Sequence, residues 1–389
     1  MANIPTKVTD VMTLASADIL NALSTEIGGN YAENMPYVYK VGDTLPNGNT
    51  ATAEDALYSL RGMGNIINSF QPYQNAFCDA LVNRIAFVVI NSRLYENPLR
   101  RLKKGYIADG ETIEEIFVGL ASIHNYDPDS EGVGLFKNYN PDIKSTFHYV
   151  NYKKFYPITI KEQDLKAAFL SFDGVSRLIS RIIESVYTSA NYDEYMVMKY
   201  MIARHALAGH IHTIKMGDAV TGIVKEDIKA LIKTAKDMRF MTSAFNEQGV
   251  PNFCDYDKMV TLITTNLSTI MDFDVLAYAF HMDKAELIGR QIEVDGFGTF
   301  DNVRLAEIFS NDPYTTFTPF TQAEIQKLNS ISAILCSEDW FMIYDNYTSM
   351  KAAPDNGYNL ARNYFYHIWK IFSISPFENA ALFTTLENF

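Results

Sequence analysis

From Val175 onward the apolar positions are Val175, Leu178, Ile179, Ile182, Ile183, Val186 and Tyr187, the spacing of one helix face. The pattern resumes at Val197, Met198, Met201 and Ile202. With Asp173 as cap and Gly209 as stop, it predicts a single helix over 173–209. A helix of about 35 residues is roughly 50 Å long, well beyond the usual globular length, and it acts as a spine. Shorter helices are predicted over 17–25, stopped by Gly28-Gly29, over 73–83, over 225–241 and over 273–280. Six apolar residues, Ile85 to Ile90, read as a buried strand. Residues 30–52, punctuated by Gly, Pro and Asn, read as an extended arm.

Further strands are expected at 112–119, 155–160, 257–264, 292–294, 340–344 and 364–374. In the last of these Tyr364, Tyr366, Ile368, Phe372 and Ile374 share one face, and Phe365, Trp369 and Ile371 share the other. A strand apolar on both faces belongs inside a covered sheet. The segments 112–119 and 155–160, with a Gly/Asp/Asn-rich stretch between them, outline a long two-stranded excursion that needs a neighbour for stability. Residues 310–321 and 351–360 are loops, the second with its tip at Pro354, Asp355, Asn356 and Gly357. The fold class that follows is α+β.

Charge is patterned along the excursion. Residues 93–104 carry Arg93, Arg100, Arg101, Lys103 and Lys104 against Glu96 alone. Residues 105–136 carry Asp109, Glu111, Glu114, Glu115, Asp127, Asp129 and Glu131 with no Lys or Arg. Residues 137–154 turn positive again through Lys137, Lys144, Lys153 and Lys154. Adjacent blocks of opposite sign suit head-to-tail contact between identical subunits, which closes into rings or shells. On this reading Arg100, Arg101, Lys103 and Lys104 pair across a subunit boundary with Glu111, Glu114 and Glu115, and reversing all four bases blocks assembly without unfolding the subunit.

The whole chain has 389 residues and a net charge of −13. That balance disfavours a surface devoted to nucleic acid. Cys78, Cys254 and Cys336 are far apart and make neither a zinc spacing nor a disulfide framework. No apolar run reaches membrane-spanning length and no signal peptide is evident. Tyr, Phe and Trp make up 13% of the chain, a composition that suits protein–protein contact as well as a core. The familiar phosphate-binding, nucleophile and zinc motifs are missing. His205, His210 and His212 are the nearest approach to a metal-ligand set, and a metal-dependent hydrolase is the enzymatic alternative they offer. The plainer reading is imidazoles at the C-terminal end of the spine helix, where the dipole favours them.

Two blocks then resemble a known family. Asn97-Pro98-Leu99-Arg100-Arg101-Leu102-Lys103-Lys104-Gly105 followed by Gly110-Glu111-Thr112-Ile113-Glu114-Glu115-Ile116 is similar to the major capsid (head) proteins of small short-tailed bacteriophages of the Picovirinae type. So are residues 155–169, Asp193-Glu194-Tyr195, 287–297, 339–345 and 364–383, and the resemblance runs from about residue 74 to 389. It implies the tailed-phage/herpesvirus capsid fold. Residues 1–72 are then an N-terminal arm and 96–160 an extended loop lapping a neighbour. Residues 73–95, 161–212 and 339–375 form a peripheral domain with the spine helix at 173–209. Residues 213–338 and 376–389 form an axial domain. The tip Pro354 to Gly357 is placed near local three-fold contacts, and Lys153 and Lys154 join the intersubunit set. Some members carry an immunoglobulin-like domain after the capsid fold. With the sequence ending at Phe389, none is expected here, nor is Lys–Asn cross-linking.

The implied function is structural, with no enzyme activity, no cofactor and no metal. The chain self-assembles into hexamers and pentamers of an icosahedral or prolate head enclosing the DNA genome. Its implied partners are further copies of itself, a separate scaffolding protein, a portal/connector protein, and packaged double-stranded DNA through weak nonspecific contact, with no membrane. The implied location is the virion capsid, assembled in the host bacterial cytoplasm. A minor head or decoration protein is the structural alternative.

Overall fold

The computed structural model describes residues 17–18, 20–25, 35–88, 95–108, 112–125, 138–170, 174–217, 225–274, 290–310, 312–313, 317–354, 358, 360–387 and 389. The chain divides into two units, one made of 1–95, 154–191 and 348–368, the other of 96–153, 192–347 and 369–389. Helices and sheets are mixed in both. Among the described residues no helix is long and apolar enough to cross a membrane.

In the first unit, residues 17–18 and 20–25 are helical. Helix α1 (Ala53–Ser69) follows, opened by a capping box in which Thr52 and Asp55 satisfy each other's backbone N–H. Its Ala56, Leu60, Met63 and Ile67 are buried. This helix is not among those expected, although its period and cap are both written in the sequence. Helix α2 (Gln71–Val88) then overturns the strand expected from Ile85 as far as Val88, and Val89 and Ile90 lie outside the described residues. A run of six apolar residues does not separate a strand from a buried helix end. Leu20, Leu23, Leu60, Met63, Ile67, Phe77, Leu165, Phe169, Ile182 and Tyr364 form one core cluster here.

Chain order continues with β1 (Gly105–Tyr106), β2 (Ile113–Val118), β3 (Ile143–His148), β4 (Tyr152–Lys161), α3 (Glu162–Ala168) and α4 (Gly174–Leu207). Helix α4 is the 34-residue spine that the periodicity predicts. The pairing of the excursion differs from expectation. β2 is antiparallel to β3, with Ile113 opposite His148 and Val118 opposite Ile143. β4 instead lies at the edge of a four-stranded sheet ordered β1-β9-β10-β4, where β9 is Phe341–Ala352 and β10 is Ala361–Ile374. The edge position suits Pro157, which has no N–H to give a second neighbour.

In the second unit, β5 (His212–Lys215), β6 (Met259–Thr264), β7 (Gln291–Val294), β8 (Ile331–Ser337) and β11 (Ala380–Thr384) make a five-stranded sheet ordered β5-β11-β8-β6-β7. β8 at its centre is buried at all seven positions, the pattern of a strand covered on both faces. Helix α5 (Lys225–Asp237) contributes Leu231 and Ala235 to a cluster with Met238, Met259, Ile263, Leu335, Ala381 and Phe383. Helix α6 (Thr265–Asp274) was not expected; of the helix expected at 273–280 it takes in only 273–274, and 275–280 fall outside the described residues. Helices α7 (Asn302–Ile308) and α8 (Gln322–Asn329) precede β8.

Gly64 shows how tightly α1 is held. A Cβ there would sit 2.5 Å from the Phe169 Cβ, whereas one at Gly62 meets nothing within 4 Å. Helix propensity favours Ala over Gly at both by roughly 0.5–1 kcal/mol. Chemical denaturation should therefore find Gly62→Ala stabilising. Gly64→Ala should be destabilising by about 1–3 kcal/mol, because overpacking outweighs propensity. Equal effects of the two would contradict this packing.

Candidate functional site

The hairpin β2–β3 has two unlike faces. On the inner one, Glu115 accepts from Ser375 Oγ at 2.6 Å and meets His148 Nε2 at 3.1 Å. His148 is buried, with its Nδ1 2.7 Å from Ser373 Oγ. Phe117 stacks on Phe377 with centroids 5.7 Å apart, and Lys144 donates to the Gln248 carbonyl. Below the hairpin, Asn151 grips the Phe372 backbone through both its N–H and its carbonyl, at 2.9 and 2.7 Å. The outer face holds Glu114 beside Phe147, Ile116 beside Ser145, and Val118 beside Ile143. All are exposed, the four apolar ones by 56–59%. An exposed apolar patch on one face of a two-stranded ribbon marks an interaction surface.

The basic block at the hairpin's foot is positioned by a turn of 3₁₀ helix, Pro98–Leu102, capped by Asn97 and anchored by buried Leu99 and Leu102. Only part of it faces outward. Arg100 and Arg101 are exposed, Arg101 lying 3.6 Å from Glu338. Lys104 pairs with Asp339 at 2.8 Å, and Lys258 reaches the other oxygen of that carboxylate at 3.1 Å. Lys103 turns inward and contacts Glu194 at 3.1 Å and Asp345 at 2.7 Å. Lys370, from the middle of β10, contacts the same two carboxylates, Asp345 at 3.1 Å. Asn97 Nδ2 donates to Glu194 at 2.8 Å. The result is a cluster of two lysines and two carboxylates, Glu194 and Lys370 buried and Lys103 and Asp345 half-buried.

Burial alone pushes the Glu194 carboxyl up. The ammonium groups of Lys370 and Lys103, with hydrogen bonds from Lys370 and Asn97, outweigh it and hold the group below its ordinary value. Asp345 is held low in the same way. Burial pulls Lys370 down, and Glu194 and Asp345 more than reverse that. Lys370 occupies the one position left out of the apolar face read on this strand, between Ile368 and Phe372. The reversal of all four bases is thus not neutral to folding. A carboxylate at position 103 would face Glu194 and Asp345.

Neighbouring residues of the spine reach other elements. Asp193 is buried and takes a two-pronged contact from Arg304, at 2.7 and 2.8 Å. Tyr195 and Lys199 both donate to Asp295 Oδ1, at 2.5 and 2.6 Å. Asp295 opens the turn after β7, where Gly296 takes a φ of 134°.

The remaining candidates are scattered. Glu111 and the loop residues Asp355, Asn356 and Gly357 lie outside the described residues, while Pro354 is exposed. Lys153 is exposed, its ammonium 4.9 Å from the Trp369 ring centroid, and Lys154 is half-buried. His205 and His210 lie with ring centroids 4.9 Å apart and both approach Glu247, at 3.5 and 2.9 Å. Burial and the His210 neighbour push the His205 imidazole down to about 4. His212 points elsewhere, against Phe245. Among the described residues no group of three or more His, Cys, Asp and Glu is arranged to hold a metal ion.

Because the folded values of Glu194 and Asp345 lie below the unfolded ones, their charges stabilise the fold in full above the ordinary carboxylate range. That stability is lost as pH falls through the folded values. Lys370→Met should cost about 3–5 kcal/mol at neutral pH by leaving buried carboxylates short of a partner. Glu194→Gln should flatten the acid limb of a stability–pH profile measured by denaturant unfolding. An unchanged acid limb would show that the cluster does not carry it.

A model of the Phi29-like phage major capsid protein family matches residues 20–384. The major capsid protein of Bacillus phage B103 is 31% identical over 374 residues, covering 95% of this chain and 73% of that protein. That of Streptococcus phage Cp-1 is 28% identical over 380 residues, covering 94% and 93%. A chain in the capsid structure of Staphylococcus phage Andhra shares the fold with a TM-score of 0.56 at 15% identity, covering 77% of this chain and 86% of that one. A chain in the structure of the head fiber and inner core protein of native bacteriophage P68 gives 0.58 at 15% identity, covering 76% and 86%. A charged spine, a hairpin with an open apolar face and a match across nearly the whole length lead to one assignment: the chain belongs to the Phi29-like phage major capsid protein family.

Proposed function

We propose that this major capsid protein builds the head as hexamers and pentamers of an icosahedral or prolate shell around the DNA genome, without a chemical step of its own. The observation that carries the proposal is the hairpin. Its inner face is anchored to its own subunit, and its outer face of Ile116, Val118, Ile143 and Phe147 is open to a neighbour. In this reading residues 96–160 are the extended loop, and 73–95, 161–212 and 339–375 the peripheral domain around the spine. Residues 213–338 and 376–389 are the axial domain. Residues 1–72 remain the N-terminal arm, with α1 packed inside its own subunit. Arg100, Arg101 and Glu114, with Lys153 and Lys154, are the charged groups proposed to set register between subunits. Lys103 and Lys104 act chiefly at home. The loop from Pro354 to Gly357 is placed at local three-fold contacts.

The partners that follow are copies of the same chain, a separate scaffolding protein, a portal protein, and DNA held only weakly. Assembly takes place in the host bacterial cytoplasm. A net charge of −13 supports the weak DNA contact, since nonspecific affinity grows with phosphates neutralised by Lys and Arg.

Co-expression with the phage's scaffolding protein, followed by sedimentation and electron microscopy, should give closed shells of uniform size. Folded protein that stays monomeric beside a functional scaffold would overturn the proposal. Ile116→Asp with Phe147→Asp should lower shell yield by roughly tenfold or more, given that ~1.4 kcal/mol of lost association is already tenfold. Unfolding of the isolated subunit should be unaffected, because both positions are exposed. Normal shells from that variant would remove the hairpin from the interface.

A further inference from the structure

The inner face of the hairpin holds a chain of three polar side chains that the shell reading uses only as an anchor. Glu115 Oε2 lies 3.1 Å from His148 Nε2, and His148 Nδ1 lies 2.7 Å from Ser373 Oγ. All three residues belong to the second unit: Glu115 comes from β2, His148 from the end of β3 and Ser373 from β10. Strand register puts Glu115 and His148 on one face, since Glu115 stands opposite Thr146 and His148 opposite Ile113. Ser373 is where the buried run Lys370, Ile371 and Phe372 gives way to half-buried positions.

The donors and acceptors fix the direction of this chain. A carboxylate only accepts, so Nε2 of a neutral His148 carries the proton and Nδ1 is left with a lone pair. That lone pair faces the Ser373 hydroxyl, which therefore donates to it. The carboxylate is itself pinned. Its other oxygen accepts from Ser375 Oγ at 2.6 Å, and Ser375 Oγ in turn accepts from the N–H groups of Phe377 and Glu378 at 3.2 and 3.3 Å. Burial pushes the carboxyl of Glu378 up, and the charges of Asp339 and Glu115 add to this. Ser375 thus gives its proton to a carboxylate, whereas Ser373 offers its proton to an imidazole. His148 is only 3% exposed and Ser373 is half-buried, so the base is shielded from water while the serine retains contact with solvent. Carboxylate, imidazole and hydroxyl in that order are the parts of an activated nucleophile, recognised by geometry rather than by position in the chain. The two ring nitrogens have exchanged the places they take in the serine hydrolases, which leaves the number of donors and acceptors unaltered.

We infer that Ser373 is an activated nucleophile that takes an acyl group from a small activated ester, with His148 as its general base and Glu115 as the residue that positions the imidazole. Ser373 Oγ forms the new bond to the acyl carbon as its proton passes to His148 Nδ1. The bond between that carbon and the leaving oxygen then breaks, and the alcohol departs with the proton from His148. Ser373 is left as an ester and the imidazole is neutral again. Building the shell needs none of this chemistry, so the inference stands apart from that reading.

The test exposes the purified full chain to p-nitrophenyl acetate and maps the acetylated residues by tandem mass spectrometry. Ser373 should be acetylated about a hundredfold faster than the exposed Ser243, because a positioned base contributes about 10²–10⁴-fold. Its rate should rise with pH and level off once the imidazole has lost its proton. His148→Gln should remove the levelling and lower the rate by about a hundredfold or more, and Glu115→Gln should lower it by a smaller factor. If His148→Gln does not fold, the wild-type comparison of Ser373 with Ser243 still decides. Acetylation of Ser373 no faster than that of Ser243 would overturn the inference, as would a rate that climbs with pH without levelling off. Either result would leave the three side chains as an anchor for the hairpin and nothing more.

Discussion

Four charges held together, on buried Glu194 and Lys370 and half-buried Asp345 and Lys103, are the constraint on which the second unit depends. They come from the spine helix, from strands β9 and β10, and from the segment that leads into the hairpin. A cluster of this kind is poor at adding net stability, because the loss of hydration offsets most of the attraction between the charges. Its effect is on specificity. Any slip of the spine by one turn, or of β10 by one residue, would leave buried Glu194 or Lys370 without its partner. The adjacent Asp193–Arg304 and Tyr195/Lys199–Asp295 contacts apply the same rule to helix α7 and to the turn after β7. Three consecutive spine residues thus fix three separate pieces of chain.

That arrangement decides which surfaces are left for assembly. The basic block at 100–104 is largely engaged at home, by Glu194, Glu338, Asp339 and Asp345 rather than by the acidic block that follows it in the sequence. Among the described residues, the surfaces facing outward include an apolar hairpin face with Glu114 at its edge and a row of lysines on α5. Weak, open surfaces of this kind suit a shell subunit that associates through many copies of itself. Single contacts are then modest, and the closed shell supplies the multiplicity.

Much of this was legible in the sequence. The spine announced itself through its period, and the two-faced strand at 364–374 through its aromatics. The family resemblance rested on the charged blocks and on Asp193-Glu194-Tyr195, residues now seen to hold the fold. Helix α1 was legible too, from Thr52, Asp55 and the row Ala56, Leu60, Met63, Ile67, but Gly62 and Gly64 disguise it. Gly64 is there because Phe169 leaves no room for a side chain. Pairing was not legible. Whether β2 meets 143–148 or 155–160 depends on register across a long connection, and both segments alternate in the same way. The direction of Lys103 was equally hidden, since its partners Glu194 and Asp345 are far away in the chain. The unexplained gap at Lys370 in an otherwise apolar face was the one signal that a buried charge cluster existed.

The central claim is that the lysines at the foot of the hairpin hold the subunit together while the hairpin's outer face holds the shell together. A cryo-electron microscopy reconstruction of assembled shells, at a resolution that resolves side chains, tests both halves at once. The account predicts Lys103 and Lys370 still paired with Glu194 and Asp345 of their own chain, and Ile116, Val118 and Phe147 covered by a neighbour. A shell in which Lys103 crosses to another subunit, or in which the hairpin face stays open to solvent, would contradict it.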